Sequence, residues 1–125
     1  MDWVVRIGLV ELAIGGLLGW AMVVREDKPE WLARIGVVAP HRVRQVHLDY
    51  VMMGLISVAV GLAVPDLPTG VAVALVFGTF VNPALFITLA FDPAVEKRTW
   101  YRALSVVSFV AMSGSLVVAA VVGPG

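Results

Sequence analysis

The chain has 125 residues, room for one compact domain, with nine basic and nine acidic side chains and no net charge. Hydrophobic residues make up 60% and charged residues 14%, against about 45–50% and about 25% in ordinary soluble chains, and mean hydropathy is +0.94. No small soluble domain has interior enough to hide that much apolar surface, which excludes a water-soluble enzyme, a nucleic-acid binder and a disordered tail. The absence of cysteine also removes disulfides, thiolate metal sites and cysteine nucleophiles. An integral membrane protein remains.

A membrane-spanning helix needs about 20 predominantly apolar residues, and four stretches qualify. The first, 4–24, is interrupted only by Arg6 and Glu11. It has no basic leader and no small-residue cleavage site, so it reads as a retained span and not as a signal peptide. The connection 25–45 opens with the polar run Arg25-Glu26-Asp27-Lys28-Pro29-Glu30, and Trp31 to Val38 suits a short interfacial helix ending at Ala39-Pro40. The second span, 46–64, carries His47 and Asp49 in its first turn. A proline-rich turn from Pro65 to Gly70 leads to the third, 71–91, which has no charge. Asp92-Pro93 stops it, and a connection bearing Lys97-Arg98 leads to the fourth, 102–122, uncharged after Arg102.

Short links favour antiparallel neighbours. The expected fold is therefore an all-α membrane protein, a single domain of four transmembrane helices in an up-down-up-down bundle. Eight of the nine basic residues (Arg25, Lys28, Arg34, Arg42, Arg44, Lys97, Arg98 and Arg102) fall in or beside the first and third connections, and only Arg6 lies at the other end. The excess of positive charge on one side predicts that those connections are cytoplasmic and both termini are outside.

Ionisable groups at bilayer depth are expensive, so each one raises a functional question. His47 suits a metal or haem ligand, because neutral imidazole is a good iron donor; it equally suits an interfacial histidine bonded to a nearby carbonyl. His41, following Pro40 in a basic segment, reads as solvated. Glu11 shares a helical face with Gly8, Gly15 and Gly19, and small residues mark a helix–helix interface, so its side chain is expected to point inward. It could carry a proton, or stay neutral and bond a hydroxyl on another helix, with Ser115 at a similar depth. Ser105, Ser108, Met112 and Ser115 line one face of the fourth span. In the third, Pro83 cannot donate to the carbonyl of Thr79, so a kink is expected. Thr79 and Asn82 should face inward, with Phe86 one turn further on.

Two segments resemble a known family. The run Arg44-Gln45-Val46-His47-Leu48-Asp49-Tyr50-Val51-Met52-Met53-Gly54-Leu55 is similar to the second-helix signature of the styrene oxide isomerase and hydroxylaminobenzene mutase family. Phe77-Gly78-Thr79-Phe80-Val81-Asn82 resembles that family's Gly-Thr-Phe-Ala-Asn segment. The resemblance implies haem b on His47, with Arg42 and Arg44 on the correct side to meet its propionates, and a homotrimeric assembly. It also implies a ferric iron that acts as a Lewis acid on an epoxide oxygen without redox turnover. Asn82 and Phe86 fall at catalytic positions, and Phe86, Met53 and Phe80 would shape an apolar pocket for a small lipophilic aromatic or epoxide. Three positions depart from the pattern. Met53 stands where the family has asparagine, Phe86 where it has tyrosine, and Gly78 where the isomerase has an acidic residue.

Two other functions compete with that reading. A haem carrier, sensor or electron-transfer protein would need a sixth ligand, for which Met53 and Met52 are candidates. Six residues from His47 on one helix, about 9 Å along its axis, Met53 could not reach the opposite face of the same haem without another subunit. A haem-free accessory subunit would instead use the glycine and serine faces for packing.

Overall fold

The computed structural model describes residues 2–124 and, among these, contains helices and no strands. Four helices are long and apolar enough to cross a membrane: α1 (Asp2–Asp27), α3 (His41–Ala63), α4 (Thr69–Phe91) and α5 (Thr99–Val122). Between α1 and α3 lies the short α2 (Pro29–Arg34), and a 3-10 turn (Pro93–Lys97) joins α4 to α5. Each long helix outruns the apolar stretch that predicts it. At the first connection the difference is largest: α1 continues through Asp27, and α3 begins at His41. Nothing in Arg42-Val43-Arg44-Gln45 breaks a helix, so polarity there marks the membrane boundary and not the end of the helix. His41 accordingly occupies the first turn of α3, exposed as expected.

Breakers do set the other ends. Pro29 opens α2, where its missing N–H costs nothing, and Asp92-Pro93 closes α4. The interfacial helix stops at Arg34, earlier than Val38, because Gly36 turns the chain with φ +98, a conformation that glycine adopts freely. The chain then runs to α4, where the Val38 and Ala39 amides both donate to the Ala90 carbonyl, at 2.9 and 3.0 Å. The α4 helix continues through Pro83, which is itself buried.

The spans pack in chain order, α1 on α3, α3 on α4 and α4 on α5, with a smaller contact from α1 to α4. The α1–α3 and α4–α5 pairs are antiparallel. Gly8 meets Val58 while Gly15 meets Val51 across α1 and α3, and Gly78 meets Met112 while Val71 meets Ser115 across α4 and α5. Small residues set the spacing, as is usual where lipid gives helices no hydrophobic reason to associate. A Cβ on Gly8 would lie 2.8 Å from the Val58 nitrogen, and one on Gly54 would lie 2.8 Å from the Gly8 carbonyl. These backbones could not approach so closely with any larger residue.

The core centres on Leu75, Ala72 and Val4, all fully buried, together with Met53, Val64, Leu67 and Met112. Only 17% to 33% of the most apolar stretch of each span is buried. Leu17, Leu62, Val117 and Val121 are among the large side chains left outside, the pattern of helices whose outer faces meet lipid.

Candidate functional site

Helix α3 presents two different faces, because residues six apart on a helix point about 240° around its axis from one another. His47 looks toward α1. Its Nδ1 lies 2.6 Å from the Gly15 carbonyl oxygen. A carbonyl can only accept, so Nδ1 carries the proton, and in the neutral ring Nε2 holds the free lone pair. Gly19 makes room for the ring: a Cβ there would stand 3.5 Å from the His47 Cε1. The ring is half-buried, and among the described residues no hydrogen bond reaches Nε2.

Met53 and Asp49 point to the other side, into a cavity of about 300 Å³ where α3 and α5 diverge over α4. Asn82, Leu85 and Phe86 line it from α4, and Tyr101, Ser105, Phe109 and Met112 from α5. Of the residues singled out in the sequence, the cavity thus gathers Met53, Asn82, Phe86, Ser105 and Met112. His47 does not line it. Phe80 is also elsewhere: its ring packs edge-on against Tyr50 at 5.7 Å, and its carbonyl accepts from the Tyr50 hydroxyl at 3.3 Å.

Asn82 is held in place by α5. Its Oδ1 accepts from Ser108 at 2.7 Å, and its Nδ2 lies 3.8 Å from the Met112 sulfur. The serine face of α5 therefore divides: Ser108 orients Asn82, Ser115 turns back on the Val71 and Ala111 carbonyls, and Ser105 opens on the cavity. Gly78 has a steric reason to be glycine. A Cβ there would lie 2.7 Å from both the Ser108 carbonyl oxygen and the Met112 Cβ, so no acidic side chain could stand at this position with α5 so close.

Arg42 and Arg44 separate. Arg44 lies one turn before His47 on the same side of α3 and is exposed. Arg42 bonds Gln45 at 2.7 Å and reaches Glu96 at 4.0 Å, a pair partly exposed to solvent and worth little.

Glu11 is completely buried, as its glycine-rich face implies. Its partner is Thr79 and not Ser115: the Thr79 hydroxyl lies 2.9 Å from Oε1, and the Ser57 hydroxyl lies 3.0 Å from Thr79. Equal depth made Ser115 plausible, but α1 packs on α3 and touches α4, and α5 lies beyond them. Depth along the membrane normal says nothing about lateral neighbours.

Leu85, Tyr101 and Phe109 escaped the sequence reading, and Asp49, named there only as a polar residue beside His47, was assigned to no site. The signal for Asp49 was present: it lies about 200° around α3 from His47, so the two polar residues of that first turn could not share one site. Tyr101 sits at a span boundary, where an aromatic residue is ordinary.

Among the described residues, no three histidine, cysteine, aspartate or glutamate side chains stand close enough to hold a metal ion. No protein-family model, no curated protein and no solved structure matches the chain.

Proposed function

We propose that this chain is a haem b-binding membrane protein of the styrene oxide isomerase and hydroxylaminobenzene mutase type, acting on a small lipophilic substrate from the bilayer. The observation that carries the reading is the bond between His47 Nδ1 and the Gly15 carbonyl. Ligating histidines characteristically donate their other ring N–H to a carbonyl or carboxylate, which fixes the tautomer and orients the free nitrogen. The residues fit the group in kind. A porphyrin supplies four nitrogens itself, so one imidazole suffices and no cluster of protein ligands is needed. Haem iron, when bound, supplies Lewis acidity toward a substrate oxygen.

The chain's own part is to orient His47 on Gly15 and Gly19 and to offer Arg44 on the same side for a propionate. Asn82, held by Ser108, serves as the hydrogen-bonding wall of an apolar cavity beside Phe86 and Met53. His47 and that cavity lie on different sides of α3, so a ligand touching both requires a second copy. The resemblance makes that assembly a trimer. We place the protein in the cell inner membrane, with its basic end in the cytoplasm, a sidedness supported by the excess of positive charge there.

The reading is tested by the visible spectrum of the detergent-purified protein, oxidised and reduced. The expected result is a Soret band that His47→Ala abolishes; no band, or one untouched by that substitution, overturns it. Incubation with styrene oxide and detection of phenylacetaldehyde then tests the isomerase step. A haem-free structural subunit is the second reading, favoured by the Gly8–Gly54 seam and the Glu11–Thr79 bond, which need no ligand. The electron-transfer alternative is weaker within one chain, because Met53 turns away from His47 and Met52 faces outward.

A further inference from the structure

Asp49 lies eight residues into α3, about 12 Å along the helix from its cytoplasmic end. It is half-buried on the wall of the cavity between α3 and α5. Among the described residues no hydrogen bond or ion pair reaches its carboxylate. Two arginines at that end of the molecule are directed elsewhere: Arg42 pairs with Gln45 and Glu96, and Arg102 donates to the Glu96 carbonyl at 3.3 Å. Asp49 stands about 6 Å past Gln45, where the polar end of α3 gives way to the apolar span, and a carboxylate within a span, without a partner, is costly. Opposite it the cavity offers aromatic rings and a thioether, Phe86, Phe109 and Met112, with Met53 one turn along α3 beside it.

We propose that this cavity binds a lipophilic organic ammonium ion, its head on the Asp49 carboxylate and its apolar body against Phe86, Phe109 and Met112. An inorganic cation fits poorly. Calcium takes six to eight oxygen ligands and magnesium near-octahedral oxygens, whereas Asp49 is the one carboxylate here and Asn82 Oδ1 is already engaged by Ser108. An ammonium ion needs a single counter-charge and gains from aromatic faces. A volume of about 300 Å³ lies at the small end of ligand pockets, enough for one ring with a short cationic arm. Phe109 is 60% exposed on the outer face of α5, so the cavity opens toward lipid, where such a molecule concentrates. The proposal rests on this cavity as a ligand site and not on haem at His47.

The test is calorimetric titration of the full chain in uncharged lipid nanodiscs, with empty discs as the blank. The probe is benzyltrimethylammonium, a permanent cation, beside its neutral isostere neopentylbenzene. Saturable binding of the cation is expected, at least tenfold tighter than that of the isostere. Asp49→Asn should weaken it tenfold or more, and Ser105→Trp, which fills the cavity from α5, should abolish it. The haem reading is judged by the Soret band and this one by the calorimetric isotherm, so failure of one and failure of the other are separable. Equal affinity for cation and isostere on the unaltered chain overturns the proposal and needs no variant to fold. So does cation binding to Asp49→Asn or Ser105→Trp within threefold of the original.

Discussion

Thr79 of α4 places its hydroxyl 2.9 Å from the carboxyl of Glu11 on α1, across a helix pair that otherwise makes little contact. Ser57 of α3 bonds the same hydroxyl at 3.0 Å, so one side chain ties together three spans. The second carboxyl oxygen of Glu11 is buried without a hydrogen-bond partner among the described residues. The tie therefore depends heavily on Thr79.

Replacing Thr79 by valine keeps the shape and removes the hydroxyl. Glu11 then loses its hydrogen bond in a dry interface, at an expected cost of about 1–3 kcal/mol. Thr79→Ser should recover most of that stability. Thermal melting in detergent checks both, and a Thr79→Val protein as stable as the original would show the bond to be incidental.

Gly78 and Gly114 make a matched pair of alanine substitutions. At Gly78 the added methyl meets the Ser108 carbonyl at 2.7 Å, whereas at Gly114 nothing lies within 4 Å. Gly78→Ala should push α4 from α5 and destabilise by roughly 1–3 kcal/mol, the usual range for overpacking. Gly114→Ala should be neutral or stabilising by up to about 1 kcal/mol, since alanine is the better helix former. Comparable melting points for the two variants would mean that α4 and α5 are not so closely packed.

The ring of His47 rests beside Gly19, where an alanine methyl finds ordinary contact at 3.5 Å and a longer side chain would displace it. Under the haem reading, Gly19→Ala should keep its Soret absorbance and Gly19→Leu should lose more than half, with both proteins folded. Equal haem content in the two would detach the cofactor from the α1 side of α3.

Asn82 and Ser108 form the shortest polar link between α4 and α5, at 2.7 Å. A double-mutant cycle with Asn82→Ala and Ser108→Ala should give a coupling energy of about 0.5–2 kcal/mol, in the range of interhelical hydrogen bonds in membranes. Additive effects would show that Ser108 does not hold Asn82 in place.

Hydrophobic length and charge clustering by themselves determined the membrane class and the four spans, the glycines around Glu11 its inward face, and the break at Pro83 the buried side of Thr79. These are local properties: about 20 apolar residues span a bilayer wherever they occur, and small residues beside a carboxyl mark an interface on whichever helix carries them. Helix ends were legible where a breaker stands, as at Asp92-Pro93, and illegible at Gln45, where polarity changes and helix propensity does not. Only the tertiary structure decided the partners. Ser115 and Thr79 both offered Glu11 a hydroxyl, and packing order put α4 within its reach and α5 beyond it. The same order separated His47 from Met53, and brought Asp49, from the turn that holds His47, to Asn82, Phe86 and Tyr101. Periodicity assigns each residue a side of its own helix, but which neighbour occupies that side depends on contacts between segments far apart in the chain.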